Sequence, residues 1–130
     1  MTTELKYLVF VSVLTALLWV PYILNLILVR GPKDAVGYPE NPKPIAPWAS
    51  RLRAAHYNAV ENLVVFAALI LVAHAVGVSR QSTQVCAMVY FWARVVHPVA
   101  YALGIPVVRT LAFVTGWGAT LCVAWAILAS

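Results

Sequence analysis

The chain has 130 residues, 63% of them hydrophobic and only 10% charged, with a mean hydropathy of +0.86. A soluble globular domain is about half apolar and about a quarter charged, and so short a chain cannot bury this surplus in one core, so a soluble protein is excluded and an integral membrane protein is expected. The net charge of +5 does not point to nucleic acid, because the basic residues flank the ends of apolar segments and so report topology.

Four segments of the length needed to cross a bilayer, about twenty apolar residues each, are expected at about 5–29, 48–78, 83–103 and 107–129. They define an all-α membrane protein, a four-transmembrane-helix bundle in a single domain over residues 1–130, with a Pro-rich loop at 31–47. The first segment is too long for the apolar core of a signal peptide and is followed by no small-x-small cleavage site, so it is expected to remain in place. Arg30, Lys33, Lys43, Arg51 and Arg53 flank the loop, partly offset by Asp34 and Glu40, whereas the other side offers only Lys6 and Arg80. The positive-inside rule then puts the loop in the cytoplasm and both termini on the far side.

In the first segment Pro21 predicts a kink. Asn25 predicts an interhelical hydrogen bond, and Arg30 an interfacial anchor. The loop holds five of the eight prolines and is expected to be neither helix nor central strand. It is long for a connection between neighbouring spans, which suits either a lid or a plain connector.

The second segment starts at Trp48 and carries Arg51, Arg53, His56, Asn58, Glu61 and Asn62 before turning wholly apolar. At 100° per residue, Arg51, Asn58 and Asn62 share one face, with Glu61 about 60–80° from the direction of Asn58 and of the face as a whole. Arg53 and His56 face another way. A helix polar on two faces cannot turn either to lipid, which favours an oligomer. Glu61 lies roughly 20 Å into the helix at 1.5 Å per residue, a depth at which a carboxylate needs a cation or a proton. The third segment offers one. Arg94, His97, Pro98 and Tyr101 share a face, and Arg94 is about 15 Å from the loop side, so a Glu61–Arg94 pair is expected, either as a plain clamp or as part of a site. Arg109 is the only charge in the fourth segment, whose Gly116 and Gly118 allow close helix approach. Cys86 and Cys122 are expected as small buried hydrophobes rather than as a disulfide or metal pair. No nucleotide loop, zinc spacing or nucleophile elbow is present, and no metal is expected.

Arg30, Arg51, Arg53, His56, Asn58, Glu61, Arg94, His97, Tyr101 and Arg109 all fall in the loop-side half of the membrane. Such groups are expensive in lipid, so a one-sided cluster reads as a binding site. Its composition suits a small zwitterion or multi-anion entering from the cytosol.

Four short spans, a Pro-rich loop ending PWASR, the pattern R-x(4)-H-x-N-x-x-E-N from Arg51 to Asn62, RVVHPVAY from Arg94 to Tyr101, and an arginine opening the last helix resemble the membrane-associated proteins in eicosanoid and glutathione metabolism, the MAPEG family. The resemblance implies a homotrimer with glutathione sites between subunits, open to the cytoplasm, in a bacterial inner membrane or a eukaryotic endomembrane. It implies that glutathione, as co-substrate, is held by Asn58 and Glu61, with Glu61 on the α-amino group, paired by Arg94 and lined by His97 and Tyr101. Arg30, Arg51 and His56 complete the ligand set, and Arg109 is the catalytic residue at the glutathione sulfur. The implied activity is a glutathione S-transferase-like conjugation, or peroxide reduction, of hydrophobic small molecules in the bilayer. The chain departs from eicosanoid-type members at Ala54 and Tyr57, where arginines are common, and at Phe113, where some have tyrosine. Two other readings stand beside this one. The first is a non-catalytic protein of the same fold binding a lipid or thiol ligand. The second is a small multidrug exporter, disfavoured because the first span holds no carboxylate beyond Glu4.

Overall fold

The computed structural model describes all 130 residues, and the chain is helical throughout apart from its turns and one loop. α1 (Thr3–Leu17) and α2 (Trp19–Val36) together make the first of four candidate spans, followed by α3 (Pro47–Ala75), α4 (Gln81–Ala102) and α5 (Pro106–Leu128). The break between α1 and α2 follows from Pro21. It has no N–H for the carbonyl of Leu17, and the chain tightens there, with Leu18 N–H donating to Thr15 O at 3.4 Å. α2 is broken again at Gly31, whose φ of +79° few other residues adopt, and one further helical turn follows at 32–36. That turn corrects the expectation that the loop begins at Gly31. Pro32 stands first in the new turn, where its missing N–H is not needed.

The helix ends are written in the local sequence. Thr2 Oγ1 accepts from Leu5 N–H and caps α1. α3 and α5 open with Pro47 and Pro106. α3 and α4 close alike: Gly77 (φ +76°) and Gly104 (φ +72°) sit just past each end, where Val78 N–H reaches Ala73 O and Ile105 N–H reaches Ala100 O. This is the six-to-one bond of a Schellman motif, which needs a left-handed residue at the glycine position.

Leu8 and Val11 from α1, Phe66 and Ile70 from α3, Tyr90 from α4 and Val123 from α5 meet in the core, with Phe66 and Tyr90 stacked at 3.7 Å. Much of the rest of the buried seam is alanine, which lets helices approach closely where lipid offers no hydrophobic drive. Cys86 and Cys122 are joined in a disulfide between α4 and α5, not left as separate hydrophobes. The chain reversal at Gly104 sets these helices side by side and antiparallel, so the two thiols face one another. The loop, the end of α4 and the starts of α3 and α5 gather at one end of the bundle, called the loop end below.

Candidate functional site

Pairing of α3 with α4 decides which polar groups meet. The face of α3 bearing Asn58 and Asn62 turns toward α4. Asn62 Nδ2 donates to the carbonyl of Asn58 at 2.8 Å, and the Asn58 side-chain Oδ1 accepts from Arg94 Nη2 at 2.8 Å. Arg94 is only 2% exposed, and its aliphatic stem lies against Gly116 of α5. A buried guanidinium is tolerable when its donors are satisfied. Asn58 takes one of five, while Arg94 Nε has no partner, and neither does Nδ1 of the equally buried His97.

Further toward the loop end, His97 packs edge-on against Tyr101 with ring centres 5.6 Å apart, and Phe113 of α5 lies 6.4 Å from the same imidazole. The Arg109 guanidinium sits over the Tyr101 ring, 4.7 Å from its centre, as a cation–π contact. Arg51 Nε donates to Ala102 O at 3.0 Å and its guanidinium lies beside Gly104. It therefore satisfies a terminal carbonyl of α4 at the negative end of that helix. Arg51, Arg94 and Arg109, with Asn58, His97 and Tyr101, thus line the junction of α3, α4 and α5 with no carboxylate among them. Three guanidiniums without an internal counter-ion attract an anion such as a carboxylate or a thiolate.

The MAPEG family model matches residues 8–129. The chain belongs to the MAPEG family. It is 35% identical over 81 residues to microsomal glutathione S-transferase 1 of Rattus norvegicus, and equally to the protein of that name from Mus musculus. The match covers 62% of this chain and 52% of each relative, so it spans about half the length of those proteins. Membership with four helices long and apolar enough to span a bilayer makes this MAPEG chain an integral membrane protein.

Not every expected residue joins the junction. Within one MAPEG chain the expected Glu61–Arg94 pair does not form: Asn58 holds Arg94, and Glu61 is exposed on the outer face of α3. The reason is rotation. Asn58 already faces α4, and the 60–80° to Glu61 turns that carboxylate off the helix contact. His56 lies on the other flank, its Nδ1 2.8 Å from Tyr22 Oη. Arg30 donates through Nε to Lys43 O at 2.8 Å and so ties down the loop. Asn25 Oδ1 accepts from Ala46 N–H at 2.9 Å and fixes the start of α3.

Sequence reasoning decided against the disulfide that forms and passed over two features: the Tyr22 partner of His56, and Glu4, which lies 3% exposed at the end opposite the loop. Of these two, only Glu4 left a signal. A carboxylate in the first turn of an apolar span, with serine and threonine near the start of another, is a recognisable hydrogen-bonding set.

Proposed function

We infer that this chain is a membrane-bound glutathione-dependent enzyme of the glutathione S-transferase kind, conjugating or reducing hydrophobic electrophiles. The observation that carries the reading is Arg109, a guanidinium held over Tyr101 and free of any carboxylate. A cysteine thiol titrates at about 8.5 and needs a nearby cation to be a thiolate at neutral pH. Arg109 supplies that cation, while Arg51 and Arg94 attract glutathione's carboxylates. The thiolate forms a carbon–sulfur bond with the electrophile, the leaving group departs with its electron pair, and the thiol proton has gone to solvent. For a hydroperoxide, two glutathiones yield the alcohol, water and glutathione disulfide. Proximity to a substrate already dissolved in the bilayer supplies the rate.

The inference extends to assembly. Glu61 on the outer face of α3 is too deep to face lipid, so a second copy or the ligand's ammonium group covers it. A homotrimer whose glutathione sites lie between subunits, open to the cytoplasm, satisfies both. The resemblance to microsomal glutathione S-transferase 1 supports the substrate, and the arginine cluster supports the chemistry.

Arg109→Ala decides the matter. Millimolar glutathione should raise the melting temperature of the unmodified protein in detergent, and of the variant as well through the remaining arginines. The variant should lose about a hundredfold or more of chlorodinitrobenzene conjugation, the usual scale for removing a charge-stabilising group. Full activity in the variant removes Arg109 from the chemistry. A glutathione-induced shift with no activity in the unmodified chain supports a non-catalytic binding protein, a reading that Phe113, with no hydroxyl to offer the site, also favours.

A further inference from the structure

At the end opposite the arginine cluster, the N-terminus of α1, the C-terminus of α3 and the turn into α4 enclose a cavity of about 230 Å³. Its polar wall is Thr2, Glu4, His74 and Ser79, and Ile70 and Val78 stand on its apolar side. Glu4 is 3% exposed. Its carboxylate accepts from Thr83 Oγ1 through Oε1, and from Ser79 Oγ at 3.0 Å to Oε1 and 3.2 Å to Oε2. The Thr2 side chain and the Glu4 backbone N–H add further hydrogen bonds to the same carboxylate. All of these donors are neutral. A carboxylate withdrawn from water without a cation is among the most expensive groups a fold can hold, and the first turn of α4 offsets only part of its charge. The permanent cations of this end lie elsewhere. Lys6 is exposed two residues along α1, about 200° around the helix from Glu4, and Arg80 is exposed beyond Ser79, while the imidazole of His74 shares the cavity wall.

We propose that this cavity is a binding site for the primary ammonium group of an aminophospholipid in the leaflet opposite the arginine cluster. An ammonium brings three N–H donors and a full positive charge, which supplies the counter-charge that the neutral donors around Glu4 do not. A choline headgroup has no N–H to donate. The source is lipid rather than a soluble amine because Glu4, His74 and Ser79 lie at the ends of spans, at headgroup depth, and because Ile70 and Val78 give the cavity an apolar wall against which the start of an acyl chain packs. The site shares no residue with the arginine cluster and does not depend on the inferred enzyme activity.

The test uses full-length protein in detergent, titrated with phosphatidylethanolamine and with its mono-, di- and trimethylated forms of identical acyl chains. The melting temperature should rise by about 5 °C with phosphatidylethanolamine, a shift ordinary for a ligand well above its dissociation constant, and the gain should shrink with each methyl. Native mass spectrometry should show a retained phosphatidylethanolamine adduct. Glu4→Gln keeps the shape and the hydroxyl contacts while removing the charge, and should erase the preference. Equal stabilisation by all four lipids in the unmodified chain overturns the proposal without recourse to any variant. A preference that survives in Glu4→Gln overturns the role of Glu4, and millimolar ethanolamine reproducing the full shift overturns the lipid as occupant.

Discussion

Asn58 shows how one side chain in a membrane helix sets what its neighbours can do. Its Oδ1 is the recorded acceptor for the buried Arg94 guanidinium, and it occupies the face from which Glu61 would otherwise have reached the same group. Asn58→Ala therefore strands a buried cation. The expected loss is about 1–3 kcal/mol, the range for leaving a buried polar group unpaired, read as a lower melting temperature in detergent with the helix content of the folded state unchanged. An unaltered melting temperature would mean that Arg94 turns to another acceptor, with Glu61 the obvious candidate. Combining Asn58→Ala with Glu61→Gln separates the two, since the double variant then falls by more than the single.

Among the elements, the hydrophobic runs made the four spans legible because lipid demands length and apolarity and little else. Gly77, Gly104, Pro47 and Pro106 stand at the helix ends for equally local reasons. What stayed hidden was rotation. Whether α3 shows Asn58 or Glu61 to α4 depends on the alanine seam between them, and periodicity gives relative angles without saying which face is inside. The disulfide was hidden for the same reason, since two cysteines thirty-six residues apart meet only once the slide of α4 on α5 is known. Arg51, Arg94 and Arg109 could be grouped from the sequence because all three fall in the loop-side half; their sharing of one junction is a matter of packing. The loop at 37–46 illustrates a further long-range dependence. It is tied by Asn25 at one end and by Arg30 along its length, both from α2. Asn25→Leu removes the acceptor for Ala46 N–H, which stands where a capping bond would, and should cost about 1 kcal/mol. Limited proteolysis should then cut within 37–46 several times faster, while α4 and α5 stay protected. Unchanged cleavage would show that Arg30 alone holds the loop.

Across the whole molecule, two independent features favour the same proposed orientation. Basic residues collect at the loop end, the side that the positive-inside rule would assign to the cytoplasm. The Cys86–Cys122 disulfide lies toward the other end, near the start of α4 and the close of α5, and disulfides persist on the oxidising side of a membrane. Assembly is the remaining demand of this scale. The outer face of α3 presents Arg53, Tyr57 and Glu61 in one column at a spacing of four residues, all exposed in the single chain. Lipid cannot solvate the deepest of these. A trimer in which α3 packs near a common axis would cover the column, and the particle measured by light scattering, corrected for detergent, should then be about three times the 14.2 kDa chain. Glu61→Leu distinguishes what the carboxylate meets. If it contacts glutathione across a subunit boundary, the variant should keep its trimer mass and lose the glutathione-induced rise in melting temperature. If Glu61 instead pairs with a cation of the neighbouring copy, the trimer itself should weaken and dissociate on dilution. A monomer of unchanged stability in both proteins would leave the column facing lipid, and the inferred assembly would fall.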